Sequence, residues 1–206
     1  MAELRVAVLG AGNIGGTLGR KWARVGHTVA FGIKHPTGER AQALRAELGD
    51  AVAVGSPADA LSAGDIVVVA LPGNVVDETI IASKAQIDGK IVIDAANRLG
   101  GGPMNSLATF QTHTPNARVF RAFNTYGWEN FADPQYHGVQ ADLFFCGPDG
   151  EARAVVEQLI TDVGLHPTWL GGVDQVGLVD SVVQLWFTLA VGQGKGRNLA
   201  LKVLTR

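Results

Sequence analysis

The stretch RVAVLGAGNIGGTLGRKW, residues 5–22, constrains this chain most. Three glycines, Gly10, Gly12 and Gly15, stand in G-x-G-x-x-G spacing behind an apolar run. LRVAVLG (4–10) reads as a buried strand, and NIGGTLGRKWARVG (13–26) has helical spacing closed by a glycine. In a strand–turn–helix unit each glycine has a mechanical reason. Gly10 makes the tight turn, Gly12 lets the backbone approach a pyrophosphate, and Gly15 lets the helix pack close to the strand. The anion would rest where the free N–H groups and dipole of the helix N-terminus favour negative charge. Gly10, Ala11, Gly12, Asn13, Ile14 and Gly15 are therefore candidates to hold the diphosphate of a dinucleotide.

The rest of the chain fits that unit. HTVAFG (27–32), AVAVG (51–55), DIVVVALP (65–72), GKIVIDAAN (89–97), ARVFRAFN (117–124), ADLFFCG (141–147) and HPTWLG (166–171) read as strands. Between them, GERAQALRAELGD (38–50), SPADALSAG (56–64), a segment near 74–85 and DGEARAVVEQLITDVG (149–164) read as helices. Ser56 and Pro57 give the second of these an N-cap with proline at its first position. Short apolar strands bridged by helices predict an α/β fold, a Rossmann-type doubly wound and mostly parallel sheet. Residues 1–171 form this expected domain. Residues 172–206 are expected to be a helical extension, broken by the glycine-rich VGQGKGRN (191–198), that supplies an acceptor site and a dimer contact.

Composition narrows the classes further. The 206 residues are 47% hydrophobic and 17% charged, which is globular. A net charge of −2 offers no basic field for nucleic acid or an anionic membrane. A lone cysteine, Cys146, excludes an internal disulfide framework and reads as a buried structural thiol in a reducing compartment. No basic leader precedes the first strand, so a cytoplasmic location is expected. VGLVDSVVQLWFTLAV (176–191) is too short for a membrane span and carries Asp180 and Gln184. Its Val182, Val183, Leu185, Trp186, Phe187 and Leu189 run almost all round a helix, more than one domain buries, which predicts a homodimer.

The end of the second strand bears on which dinucleotide is held. An NAD site usually places a carboxylate there, but no acid occurs from Ala30 to Gly38. Lys34 and His35 follow the strand and Arg40 comes shortly after, a set suited to a 2′-phosphate and hence to NADP. The other reading of Lys34 is an ordinary solvated loop lysine. Ala70, Leu71, Pro72 and Val75, after the fourth strand, either flank the ligand or merely turn the chain into a helix. His27, His35, His113, His137 and His166 stand in no catalytic pattern, and no metal spacing or G-x-S-x-G elbow occurs. No acid–base pair is therefore assigned. An alcohol dehydrogenase usually needs one, whereas hydride passing between two redox cofactors needs mainly ring alignment.

GAGNIGGTLGRKWARVGHTVAFGIKHP, GKIVIDAANRLG, RVFRAFNTYGWENFADP and LWFTLAVGQGKGRNLALKVL occur in an order that resembles the NADPH-dependent F-420 reductase family across nearly the whole chain. Related domains occur in metalloreductases of the STEAP type, which pass hydride from NADPH to a flavin. The resemblance implies a small, usually dimeric Rossmann subunit that moves hydride between NADP and the deazaflavin F-420, with FMN or FAD as the flavin alternative. It places Ile33 and Lys34 where the family has Ser-Arg at the 2′-phosphate. It places Leu71, Pro72, Asn97, Ala122 and Asn124 along the cofactor crevice. Arg98 stands where the family has proline, so it reshapes the pocket or reaches an anionic acceptor. Lys195 and Arg197 either meet the acidic tail of F-420 or are solvated helix-end cations. Two other readings stand beside this one: an NADP-binding sensor or scaffold without turnover, and a small imine or hydroxyacid reductase.

Overall fold

The computed structural model describes residues 3–206. In chain order its first half contains β1 (Arg5–Leu9), α1 (Asn13–Arg24), β2 (Thr28–Gly32), α2 (Glu39–Leu48), β3 (Val52–Gly55), α3 (Pro57–Ala63), β4 (Ile66–Val69), α4 (Val76–Ala82), α5 (Lys84–Ile87) and β5 (Ile91–Asp94). Then follow α6 (Leu107–His113), β6 (Arg118–Arg121), α7 (Trp128–Ala132), β7 (Gln135–Tyr136), β8 (Val139–Gln140), β9 (Asp142–Phe145), α8 (Glu151–Val163), β10 (His166–Trp169) and α9 (Val176–Phe187). Six parallel strands make one sheet in the order β3-β2-β1-β4-β5-β6. This is the doubly wound order, whose reversal point lies between β1 and β4. β9 and β10 pair in parallel beyond it, and an antiparallel bridge from Arg121 to Cys146 ties β9 to the edge of β6.

The period of two along each strand sends alternate side chains to opposite faces. Val6 and Val8 of β1 join Trp22, Phe31, Phe120, Leu159 and Ile160 beneath α1 and α8. Ala7 and Leu9 point the other way, to Leu61, Ile80 and Phe110 of α3, α4 and α6. Burial on both faces is why the strands are unbroken apolar runs rather than alternating ones. The Trp22 indole N–H donates to the Leu159 carbonyl at 3.0 Å and fixes α1 against α8. His27 is buried at the start of β2. Its Nδ1 accepts from the Leu4 amide at 3.2 Å and its Nε2 lies 2.8 Å from Asp162, which gives it a structural role.

Three expectations need correction. The helix near 74–85 is two short helices, α4 and α5, joined at Ser83. The segment after 172 is not helix after helix. Beyond α9 a π turn, Thr188–Gly192, ends it, and residues 198–206 form an irregular strap. GKGRN lacks the apolar spacing that would hold a second helix on the core, and the strap's backbone instead bonds to side-chain and main-chain groups of the domain. The Trp186 indole N–H donates to the Leu199 carbonyl at 2.6 Å, and the Asp142 amide donates to the Leu201 carbonyl at 3.0 Å. Finally, the flanking 3-10 and π turns lengthen the apolar helical run to Val173–Gly192, 20 residues that include an 18-residue window of mean hydropathy 1.3, which is long enough to cross a membrane. Its Val179, Asp180, Val183 and Trp186 are nevertheless buried against the sheet domain.

Candidate functional site

The site lies at the carboxyl ends of the strands. Gly10 has φ +95°, donates its amide to the Gly32 carbonyl at 2.9 Å, and has no room for a Cβ, which would come 2.5 Å from the Ala70 carbonyl oxygen. A Cβ on Gly15 would stand 2.0 Å from the Gly10 carbonyl oxygen. These two glycines close the turn and pack α1 against β1. Around Gly12 there is open space, with no protein atom within 4 Å of where a Cβ would stand. Gly12 is the N-cap of α1 with no side-chain cap and no acid in the first turn, so the helix presents bare amides there.

Two cavities flank this turn. One, of about 590 Å³, is lined by Gly12, Thr17, Arg20, Glu39, Arg40 and Trp128 among others. The second, of about 180 Å³, runs between Ile14, Asn97, Asn124, Trp186, Phe187 and Arg197. Asn13 and Trp128 border both, so they form one groove over the helix N-terminus. Each cavity is smaller than, or within, the roughly 300–1,000 Å³ usual for ligand sites, and jointly they suit a long ligand.

Arg40 lines the larger cavity. Lys34 and His35 are exposed at the end of β2 and do not line it, while Ile33 is half-buried. Arg20, which stands in no motif that would single it out, lines it too, and its Nε donates to Glu47 at 2.7 Å. Glu39, one residue beyond the acid-free stretch from Ala30 to Gly38, faces the same cavity beside Arg40. Ala70, Leu71, Pro72 and Val75 form the turn after β4, where Leu71 packs on the core and Pro72 accepts from the Val75 amide at 3.0 Å.

The smaller cavity is built by the turn after β6. Ala122 is buried, and Phe123 has φ +58°, a left-handed conformation unusual for a bulky residue. Edge-on contacts to Trp22 at 5.6 Å and Phe131 at 5.7 Å hold it there. The kink delivers Asn124, Thr125 and Tyr126 to the cavity wall. Arg197 reaches the wall from the position just before the strap. Its Nε donates to Glu129 at 2.6 Å, and its guanidinium lies 5.5 Å from the centre of the Trp186 ring. The hydrogen bond from Arg197 holds the Glu129 carboxyl below its ordinary range. Burial pushes the Tyr126 phenol well up, away from any proton-transfer role near neutrality. Lys195 is exposed and its amide donates to the Leu189 carbonyl. Arg98 turns away from both cavities: its Nη2 donates to Asp77 at 2.6 Å and to Ser106 at 3.0 Å, so it anchors α4 to the start of α6.

Beneath the smaller cavity sits a buried ionic cluster. Asp94 ends β5, Arg121 ends β6, and the two are partners in the strand register. Arg121 Nη1 lies 3.3 Å from Asp94, and Arg121 Nη2 lies 2.9 Å from Asp180 of α9. Desolvation raises the Asp94 carboxyl, against the pull of Arg121. The signal for it was present in the sequence as single charges closing two apolar runs, IVID and RVFR. Cys146 is buried beside this cluster, and burial pushes its thiol up to about 11, as a structural thiol requires. Among the described residues no group of acidic, histidine and cysteine side chains could hold a metal.

The chain is similar to several known proteins. A glycerol-3-phosphate dehydrogenase [NAD(P)+] of Chlorobium luteolum is 25% identical over 220 residues, covering 98% of this chain. The chain spans 65% of that relative's length. A reductive aminase from Aspergillus terreus, solved with NADPH, shares the fold with a TM-score of 0.68 at 21% identity, over 93% of this chain and 64% of its own. A candidate F-420-dependent NADP-reductase from Arthrobacter sp. FB24 superposes with a TM-score of 0.85 at 25% identity, covering 98% of this chain and all of its own. Residues 5–98, from β1 through the turn after β5, match the family described as NADP oxidoreductase, coenzyme F-420-dependent, and this is the family that the chain resembles.

Proposed function

We propose that the chain is an NADP(H)-dependent oxidoreductase that passes hydride between NADP(H) and a deazaflavin such as F-420, or a flavin. One observation carries this reading. The cavity next to the α1 N-terminus is walled by side-chain amides, aromatic rings and Arg197, which pairs with Glu129 outside the lining, and the described lining residues include no proton-transfer couple. Such a wall aligns rings and excludes water, which is what direct hydride transfer asks of a protein. The diphosphate would rest on the α1 amides, and the adenosine phosphate beside Arg20 and Arg40. Arg197, half-exposed, could trade Glu129 for an acidic group on the acceptor, with Lys195 nearby in sequence as a second cation. Leu178, Leu185 and Val191 are exposed along α9 and its continuation, so a second copy of the chain is proposed to cover them.

A small carbonyl or imine reductase is the second reading, favoured by the likeness to the reductive aminase and to the glycerol-3-phosphate dehydrogenase. Stopped-flow oxidation of bound NADPH decides between the two. Oxidation on mixing with F-420, FMN or FAD supports the first. Turnover confined to imines or ketones supports the second, and no oxidation by any acceptor removes both in favour of a binding protein.

A further inference from the structure

The Arg121 guanidinium is 3% exposed and is held by every neighbour it has. Its Nε donates to Asp180 at 3.0 Å, its Nη1 to the Asp94 carbonyl at 3.2 Å and to the Ala96 carbonyl, and its Nη2 to the Asn97 side-chain oxygen at 2.6 Å. The Asn124 side chain finds complementary partners when its oxygen faces the same guanidinium, accepting from Nε and Nη2 at 3.2 Å each. An arginine has five donors and no acceptor, so any amide that touches it must turn its oxygen inward. The NH₂ end of that amide then points away from the cation. Asn97 uses one of its N–H groups on the Asn124 backbone carbonyl, at 2.7 Å. Both residues line the smaller cavity.

We propose that Arg121 polarises Asn97 and Asn124 so that this end of the groove is a donor-lined subsite, which reads a carbonyl oxygen on the ligand's ring and not the N–H groups beside it. On the Proposed function, on which this inference rests, that oxygen is the carboxamide oxygen of the nicotinamide. Asn124 is the residue that selects it, and Arg121 is a positioning residue. Asp180 extends the same chain of contacts to α9, so the C-terminal helix helps to set the donors.

The test compares three probes by fluorescence or calorimetric titration: NADP⁺, its 3-acetylpyridine analogue and 2′,5′-ADP. The analogue keeps the carbonyl oxygen and replaces the NH₂ with methyl; 2′,5′-ADP has no ring. Wild-type protein should bind the analogue within about twofold of NADP⁺. Asn124→Asp keeps an acceptor for Arg121 but removes the donors, and should weaken both ring-bearing ligands about tenfold while leaving 2′,5′-ADP unchanged. Arg121→Lys, which keeps the charge but frees the amides, should show the same selective loss. If Arg121→Lys does not fold, as circular dichroism would reveal, the Asn124→Asp and analogue comparisons still decide. The proposal is overturned by a wild-type preference of tenfold or more for NADP⁺ over the analogue, or by variants that weaken all three probes alike or none. Wild-type protein that binds 2′,5′-ADP with no gain from the ring also overturns it. Wild-type protein that binds none of the three overturns the Proposed function itself.

Discussion

Single residues decide whether the groove exists. Gly15→Ala would drive a methyl group onto the Gly10 carbonyl oxygen, which is backbone and cannot swing aside. Overpacking of this kind costs about 1–3 kcal/mol. Here it would also push α1 away from β1, and the amides over Gly12 would lose their aim. Gly15→Ala should therefore abolish NADPH binding in a titration while the far-ultraviolet spectrum stays helical; retained affinity would mean that the diphosphate lies elsewhere. Gly12→Ala meets no protein atom, so it should keep the stability of the chain and lose only affinity. Cys146 is the opposite case, a residue whose chemistry is suppressed. With its thiol pushed up to about 11 and buried at the β6–β9 junction, a disulfide reagent at pH 8 should leave it unlabelled in the native protein and label it fully in denaturant. Rapid native labelling would show that this junction opens.

At the scale of elements, the sequence was legible wherever local chemistry and tertiary packing asked for the same thing. In α3, Ser56 accepts from the Asp59 amide at 3.2 Å while Asp59 accepts from the Ser56 amide at 2.8 Å, with Pro57 at the first position. Ser56→Ala should cost about 1 kcal/mol in urea unfolding, and no change would show that packing alone holds α3. The strands of the main sheet were legible because burial on both faces makes them apolar without interruption. α7 and the β7–β8 hairpin were not, because they are short and held by partners remote in sequence. The Asn130 side chain, for example, caps the strap by donating to the Arg197 carbonyl at 3.0 Å. Residues 198–206 depart from the expected helix for the same reason, since LALKVL has a helical look but its backbone is claimed by Trp186, Tyr126 and Asp142. In the site, the glycine turn and the asparagines after β5 and β6 could be read from spacing and resemblance. The orientation of those asparagines could not, because it is set by the register that puts Arg121 opposite Asp94.

The whole molecule is a sheet with an open crevice at the carboxyl ends of its strands, and one long return closes that crevice. α9 crosses the end of the sheet, docks Asp180 on Arg121, and the strap comes back past Arg197 to finish on Asp142. Asp142 is 1% exposed. The Lys202 ammonium and the Val203 amide each donate to it at 2.6 Å, and His166 lies 3.1 Å away. Removing residues 202–206 takes away the first two partners at once and leaves a buried carboxylate with His166 alone among these partners. Breaking a buried pair from one side typically costs about 3–5 kcal/mol, and the remaining histidine places the expected loss near the lower end, about 3 kcal/mol. For a chain of this length each kcal/mol moves the melting temperature by about 2–4 °C, so the truncated protein should melt roughly 6–12 °C lower. Because the strap begins directly after Arg197, which lines the cavity, the ligand and the strap stabilise the same closed state. NADPH at a hundred times its dissociation constant should restore about 2.7 kcal/mol to either form. If the strap only clamps the fold, the truncated protein should keep its NADPH affinity and recover most of the lost melting temperature at saturation. If the strap is also a wall of the site, the truncation should weaken NADPH more than 2′,5′-ADP and the recovery should be incomplete. The wall outcome is the one expected, since Trp186 is fixed by the Leu199 carbonyl and lines the cavity with Arg197. Differential scanning fluorimetry with both ligands, on both forms, reads the difference directly.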